Sequence, residues 1–301
     1  MAGENRKKVT INFLILLLII FVIFASCQSA PKVTDAALIE TTVPFYSGAS
    51  VYILADLKQA RTIIDLLPIE ELNNRQTMQM LDRTDFLAAA MFPQESGRRF
   101  QIAALGNYPS SQANFAFTFN RDWQKKRSQT GGSFWYSRSN RLSIAINSRQ
   151  AFAASSLNDE PCDPLISGAG VEIPEGFNEF RTGAPLSCWF EDPAPLINRI
   201  LSSAGIPLQF PIQSLFISLL TAAQDEYEAI IRLQFENPSH ARGVAAILNM
   251  ASMLSAGDSG SIIGSIFFAN PPVQNGNYVN IKTAVLNEEE IVQLLGIFLF
   301  V

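Results

Sequence analysis

Side chains able to do chemistry are sparse and poorly grouped in this chain. His240 is the single histidine among 301 residues, so a histidine base has one possible position. Gly257-Asp258-Ser259-Gly260 would frame a serine nucleophile in a small-residue turn. Acyl transfer, however, needs nucleophile, base, orienting acid and oxyanion donors together. His240 follows Asn237-Pro238-Ser239, which reads as a helix start and makes it a solvated first-turn residue. Asp56, Asp82, Asp85 and Asp192 read as caps and turn residues, with no pair spaced for acid-base work. Cysteines and histidine are too few and too scattered for a zinc site. No catalytic residue, metal or cofactor is expected, and the chain reads as non-enzymatic.

The residue with a definite chemical fate is Cys27. Arg6-Lys7-Lys8 precede a nearly unbroken apolar run over residues 9–24, and Ala25-Ser26 then offer small side chains to a peptidase, the pattern of a secretory signal. A plain signal anchor is the alternative, although it usually runs to about 20 apolar residues. Phe24-Ala25-Ser26-Cys27 resembles the bacterial lipobox, with Phe where Leu or Val is usual, a looseness similar to spirochaetal lipoproteins. The resemblance implies removal of residues 1–26 and joining of the Cys27 thiol to lipid, palmitate among the acyl chains. Two or three such chains hold a protein on a bilayer where one binds only marginally. Gln28, not Asp, follows Cys27, which favours the outer membrane over the inner.

Processing leaves 275 residues, enough for one large domain or two smaller ones. It also takes the balance from 22 basic and 27 acidic side chains to 19 and 26. An acidic body of this kind lacks the basic face that nucleic acid requires. No long run of like charge marks a polybasic headgroup site either. Hydrophobic residues make up 48%, and Phe at 22 outnumbers Tyr at 6, an apolar surplus for a secreted protein. With Cys27 committed to lipid, Cys162 and Cys188 could pair in an oxidising compartment or stand as two separate thiols.

These residues must be positioned by an α+β body. Residues 27–45 read as a lipidated tether and 46–157 as a first half. Residues 158–183, rich in Pro, Gly, Asp and Glu, read as a linker, and 184–301 as a second half. The first half is expected to open with a strand at 51–54 and a helix after Asp56, followed by strands at 85–92 and 99–105 joined by a Pro/Gly turn. A helix over 110–127 and a hairpin through Phe134-Trp135-Tyr136 and Leu142, Ile144, Ile146 complete it. The second half restarts with a strand at 186–190 and a helix carrying Leu196, Ile197, Ile200 and Leu201. Element order then repeats: a strand at 227–235, a helix at 239–254, strands at 262–268 and 278–286. The expectation is two structurally similar halves, each an antiparallel or mixed sheet with helices packed on one face; one continuous mixed sheet is the alternative.

Three stretches carry apolar stripes at helical spacing. One holds Ile212, Leu215, Phe216, Leu219, Leu220 and Ala223, although Leu215, Ile217 and Leu219 also alternate as in a strand. The second holds Val244, Ile247, Leu248, Ala251 and Leu254; the third follows Asn287 with Ile291, Leu294, Leu295 and Phe298. Such stripes either pack on a sheet or lie against a bilayer, and their polar faces lack the Lys and Arg common on interfacial helices. The candidate lipid-contacting residues are Leu215, Phe216, Leu219, Leu220, Leu294, Leu295 and Phe298.

The lipobox and these stripes stand together with Leu81-Asp82-Arg83-Thr84, Arg98-Arg99-Phe100 and Gly106-Asn107-Tyr108-Pro109 ahead of Trp123. The combination resembles treponemal outer-membrane lipoproteins of the concealed, periplasm-facing kind. That resemblance implies amphipathic helices that enter the inner leaflet and loosen it, and no activity. The expected role is that of a lipid-anchored, periplasm-facing envelope lipoprotein that binds lipid or perturbs the membrane. Its partners would be membrane lipid, through the N-terminal acyl chains, and an apolar ligand. A non-enzymatic scaffold that binds an envelope protein is the alternative.

Overall fold

The computed structural model describes residues 42–43, 45–66, 78–79, 81–93, 97–128, 132–156, 170–194, 197, 210–223, 226–255 and 270–299. In chain order the elements are β1 (Thr42–Val43), β2 (Val51–Asp56), α1 (Arg61–Leu66), β3 (Thr84–Met91), β4 (Arg98–Gly106), α2 (Ser110–Phe119), β5 (Trp123–Arg127), β6 (Ser133–Ser137) and β7 (Leu142–Ile146). There follow β8 (Gln150–Ser156), β9 (Val171–Glu172), α3 (Phe177–Phe180), β10 (Leu186–Phe190), β11 (Ile212–Ala223), β12 (Glu226–Phe235), α4 (Pro238–Ser255), β13 (Val273–Asn275), β14 (Tyr278–Leu286) and α5 (Glu288–Leu299). Packing divides the chain into two compact units: Met1–Ser47 with Leu67–Ile173, and Gly48–Leu66 with Pro174–Val301.

The first unit is built on the ladder β3-β4-β8-β7-β6-β5, every pair antiparallel. Its middle is made of small side chains, with Ala88 opposite Ala103 and Ala104 opposite Ala151. Gly106 has no alternative, because a Cβ there would sit 2.0 Å from the Arg83 carbonyl oxygen. The larger side chains gather under α2, where Phe117 meets the rings of Trp123 at 4.7 Å and Trp135 at 5.4 Å. The Trp135 indole N–H donates to Asn114 Oδ1 at 2.8 Å, fixing the helix to β6. The helix expected over 110–127 ends at Phe119. Asn120 is extended, its side-chain oxygen accepts the Asp122 N–H, and Trp123 begins β5. The tether and linker expectations also yield here, since Thr42-Val43 pairs with Val171-Glu172 and Phe45 is buried.

The second unit is the antiparallel ladder β2-β10-β11-β12-β14-β13. The strand and helix at 51–66 pack here, because β2 pairs with β10 along five residue pairs. The stretch 212–223, read from its spacing as a helical stripe, is a strand. Leu215, Phe216, Ile217, Ser218 and Leu219 are all buried, so both faces of β11 are covered and the period-2 signature is lost. Helices occupy both faces, not one. Phe177 of α3 packs on Phe216, while Leu294 and Leu295 of α5 lie against Ile217 and Leu219, which alternate with it. Alternate residues of β12, from Tyr227 to Phe235, are buried on the same face as Ile217. There α4 supplies Ala241, Val244, Ala245 and Leu248 as its buried stripe. The expected linker therefore contributes α3, whose Phe177 and Phe180 belong to the core. The helix expected at 196–201, apart from residue 197, and the strand at 262–268 lie outside the described residues.

Candidate functional site

The elements that could meet lipid are best judged by how firmly each is held. Asn287 opens α5 with a reciprocal cap: its side-chain oxygen accepts the Glu290 N–H at 3.0 Å, and Glu290 accepts the Asn287 N–H at 2.9 Å. Glu288, Glu289 and Glu290 place negative charge at the positive end of the helix dipole. Ile291, Leu294 and Leu295 are then buried, each worth roughly 2 kcal/mol in removed apolar surface. Beneath Leu294 and Leu295 lies a cavity of about 20 Å³, closed by Ile53, Leu186, Cys188, Ile217 and Leu219. It is the size of about one water molecule but is walled by apolar groups, so nothing would hold a water there.

The opposite face of the same sheet is packed by rings. Trp189 stacks on Tyr52 at 4.6 Å and takes the edge of Phe177 at 4.9 Å, while Phe177 reaches Phe216 at 5.3 Å. Burial raises the Tyr52 hydroxyl well above the ordinary tyrosine range. The Trp189 indole N–H is buried without an acceptor. At the rim Arg232 lies over Phe180 at 4.8 Å and Tyr278 at 5.2 Å, and its Nε donates to Asn280.

Against this geometry, the candidate lipid-contacting residues fall in two places. Leu215, Phe216 and Leu219 are inside the sheet unit, and Leu220 is half-buried. Leu294 and Leu295 face the cavity, and the side chain of Phe298 lies outside the described ones. Cys188 is a free thiol whose pKa burial pushes up to about 12, against a weaker opposing hydrogen bond with the Ile217 backbone. Cys27, Cys162 and the Gly257-Asp258-Ser259-Gly260 turn lie outside the described residues. His240 is exposed in the first turn of α4, where Asn237 caps its N–H at 3.0 Å. Among the described residues no helix is long and apolar enough to cross a membrane.

Besides Met250, Val273 and Val285, which are exposed singly, two large apolar side chains stand exposed together on α2. Phe115 is 66% and Phe119 71% exposed, on the outer side of α2, and their rings are 4.6 Å apart. The pattern of the helix hides them, because it also buries Ala113 and Phe117. The signal available was that Ser110–Phe119 contains no charged residue at all.

Three crystal forms of TP0453 share this fold. Form III superposes with a TM-score of 0.55 at 16% identity, covering 88% of this chain and 98% of that one. Form IV gives 0.57 at 16%, covering 87% and 99%. Form I gives 0.57 at 17%, covering 84% and 94%. No curated protein matches the sequence. The profile of the family described as outer membrane-associated lipoprotein TP0453 matches residues 42–263, and the chain belongs to this family, as a spirochaete lipoprotein lipid-anchored at the outer membrane.

Proposed function

We propose that this lipoprotein faces the periplasm and acts on the leaflet that anchors it, with α5 exchanging its apolar stripe between the sheet and lipid. One observation carries the reading, the seat of α5. The helix follows β14, the last strand of the ladder in sequence, so lifting it breaks no strand-to-strand hydrogen bond. The cavity under Leu294 and Leu295 leaves that seat short of full packing contact. Leaving it exposes apolar surface whose cost falls when hydrocarbon replaces water. Leu219, which lies beneath Leu294 and Leu295, would meet lipid only after such a release, whereas Phe216 is on the other face under Phe177.

Cys27 would be the attachment point after cleavage of residues 1–26, and mass spectrometry of the native product tests that directly. The α5 step is tested by flotation with vesicles, using the chain from residue 28 onward, which keeps every described element. In a Cys162→Ser background, Leu295→Cys joined to Cys188 by a short bifunctional thiol reagent locks the helix down. The locked protein should lose vesicle binding and regain it on reduction of a cleavable linker. Unchanged binding by the locked form excludes release of α5 as the route.

The strand orders also support a repeat. In β3-β4-β8 a helix, α2, follows the middle strand in sequence. In β11-β12-β14 a helix, α4, does the same. We read these two modules as copies of one unit, with β5 and β6 added in one and β2 and β10 in the other.

A further inference from the structure

We infer that the outer side of α2 is a second lipid contact, a docking surface selective for anionic phospholipid headgroups. Phe115 and Phe119 form its apolar tip. They are one turn apart, with rings tilted against one another at 4.6 Å and more than half exposed, on a helix without a charged side chain. Cations collect in the strand that follows the helix, where Lys125-Lys126-Arg127 is a short basic run. Lys125 lies 5.8 Å from the ring of Trp135, the residue that bonds α2, which puts it on the helix side of β5. Alternation puts Arg127 on that side too, and Arg121 sits in the loop that leaves the helix. Arg138 follows Ser137, which is paired with Trp123, and so joins the same end of the sheet.

Arg121, Lys125 and Arg127 have no carboxylate within ion-pair distance among the described residues; Asp122 is the one acidic residue in that stretch. A chain of net charge −5 thus carries a local basic stretch on the strand that packs under the helix bearing the two exposed rings. That charge selects an anionic occupant. Two rings and a few cations fall short of the roughly 800 Å² per partner that a stable protein contact requires. A leaflet asks for no shape match and accepts ring insertion with flanking Lys and Arg. Cations on β5 also guard an edge strand against pairing, but that role does not call for exposed phenylalanines.

The inference rests on the reading that the body works at a leaflet, yet it fails separately from it. Flotation of the chain from residue 28 is compared on phosphatidylcholine vesicles with and without phosphatidylglycerol. The wild type should prefer the anionic vesicles and lose the preference in high salt. Replacing Arg121, Lys125 and Arg127 by Gln should weaken binding to anionic vesicles by about fivefold per cation and leave phosphatidylcholine binding as it was. Phe115→Ser with Phe119→Ser should lower binding to both, and circular dichroism with a melting curve establishes that each variant is folded. The single Phe119→Ser repeats the test with a smaller perturbation. Wild-type affinity in the ring variants, or a retained anionic preference in the Gln variant, overturns the α2 surface while the locked α5 protein still reports on the other reading. Equal competition by soluble polyglutamate and by anionic vesicles overturns it in favour of an acidic protein partner. Failure of the wild type to float with either vesicle removes both.

Discussion

The two apolar helices α2 and α5 solve opposite problems. The α5 helix is capped by Asn287, carries three glutamates in its first turn and turns its leucines inward. The α2 helix has no side-chain cap at Pro109 and no charge, and it shows aromatic rings on both sides. Periodicity is informative for α5 because one side is polar, which is the condition under which a stripe predicts burial. In α2 the inward pair Ala113 and Phe117 and the outward pair Phe115 and Phe119 together leave almost no moment, so pattern alone cannot say which rings meet water. A helix can therefore be firmly docked by Phe117 and Asn114 and still present an apolar face.

The sharpest way to break the comparison is to put charge on each apolar site. Leu219→Asp, in a strand buried on both faces, should cost about 4 kcal/mol or prevent folding, read as the midpoint in urea. Leu295→Asp should cost less, since α5 can lift the new carboxylate into water without unpairing a strand. If the folded Leu295→Asp protein also fails to float with vesicles, its stripe is an interface; if it unfolds as completely as Leu219→Asp, α5 is fixed core.

The same seat can be probed without changing its shape. Cys188 is held neutral, with its titration moved from an ordinary value near 9 up to about 12. A group whose folded value is raised contributes its stability in full below the unfolded value and loses it as pH rises through the folded one. Stability should therefore fall across the window from about pH 9 to pH 12, a loss that Cys188→Ala reduces. The raised hydroxyls of Tyr52 and Tyr108 contribute losses of the same sign at the alkaline end. At neutral pH, alkylation of Cys188 should wait on opening of the α5 seat and quicken in vesicles if the helix leaves the sheet there. Asn287→Ala removes one half of the cap and should cost about 1 kcal/mol, increasing that alkylation rate in proportion.

How much of this was legible follows from which faces meet water. The strands at 226–235 and 278–286 and the helices at 238–255 and 288–299 each retain one more polar side, and their periods survive in the sequence, while the strands at 84–91, 98–106 and 186–190 are legible as short apolar runs bounded by turn residues. The stretch 212–223 does not, because covering both sides of a strand leaves an apolar run that helical spacing fits as well as any other. Trp123–Arg127 was absorbed into a helix because an edge strand of Gln, Lys and Arg has no inward alternation beyond its tryptophan. Phe177 and Phe180 hid in a Gly- and Pro-rich segment, since two rings make too short a pattern to register. Similar logic governs the site. Leu294 and Leu295 could be named from spacing, whereas the run Lys125-Lys126-Arg127 stands in the sequence but only the pairing of Lys125 with Trp135 ties it to α2.

The smallest expected effect sharpens the comparison most. Phe119 is 71% exposed and its ring touches chiefly that of Phe115, so Phe119→Ser should change stability by less than about 1 kcal/mol in either direction. Replacing a buried phenylalanine costs about 3 to 5 kcal/mol, and Phe117→Ala, which removes a ring centred 4.7 and 5.4 Å from the two tryptophan rings, should fall in that range. The two substitutions lie two residues apart on one short helix, so beyond the roughly 0.5 kcal/mol by which Ser and Ala differ in helix propensity the gap between their melting midpoints measures what the sheet holds. A gap near zero would mean that Phe119 is as covered in solution as Phe117, by another part of the chain or by a second copy. A wide gap leaves the outer ring with no structural task within the folded unit, and its contribution must then be sought at the leaflet.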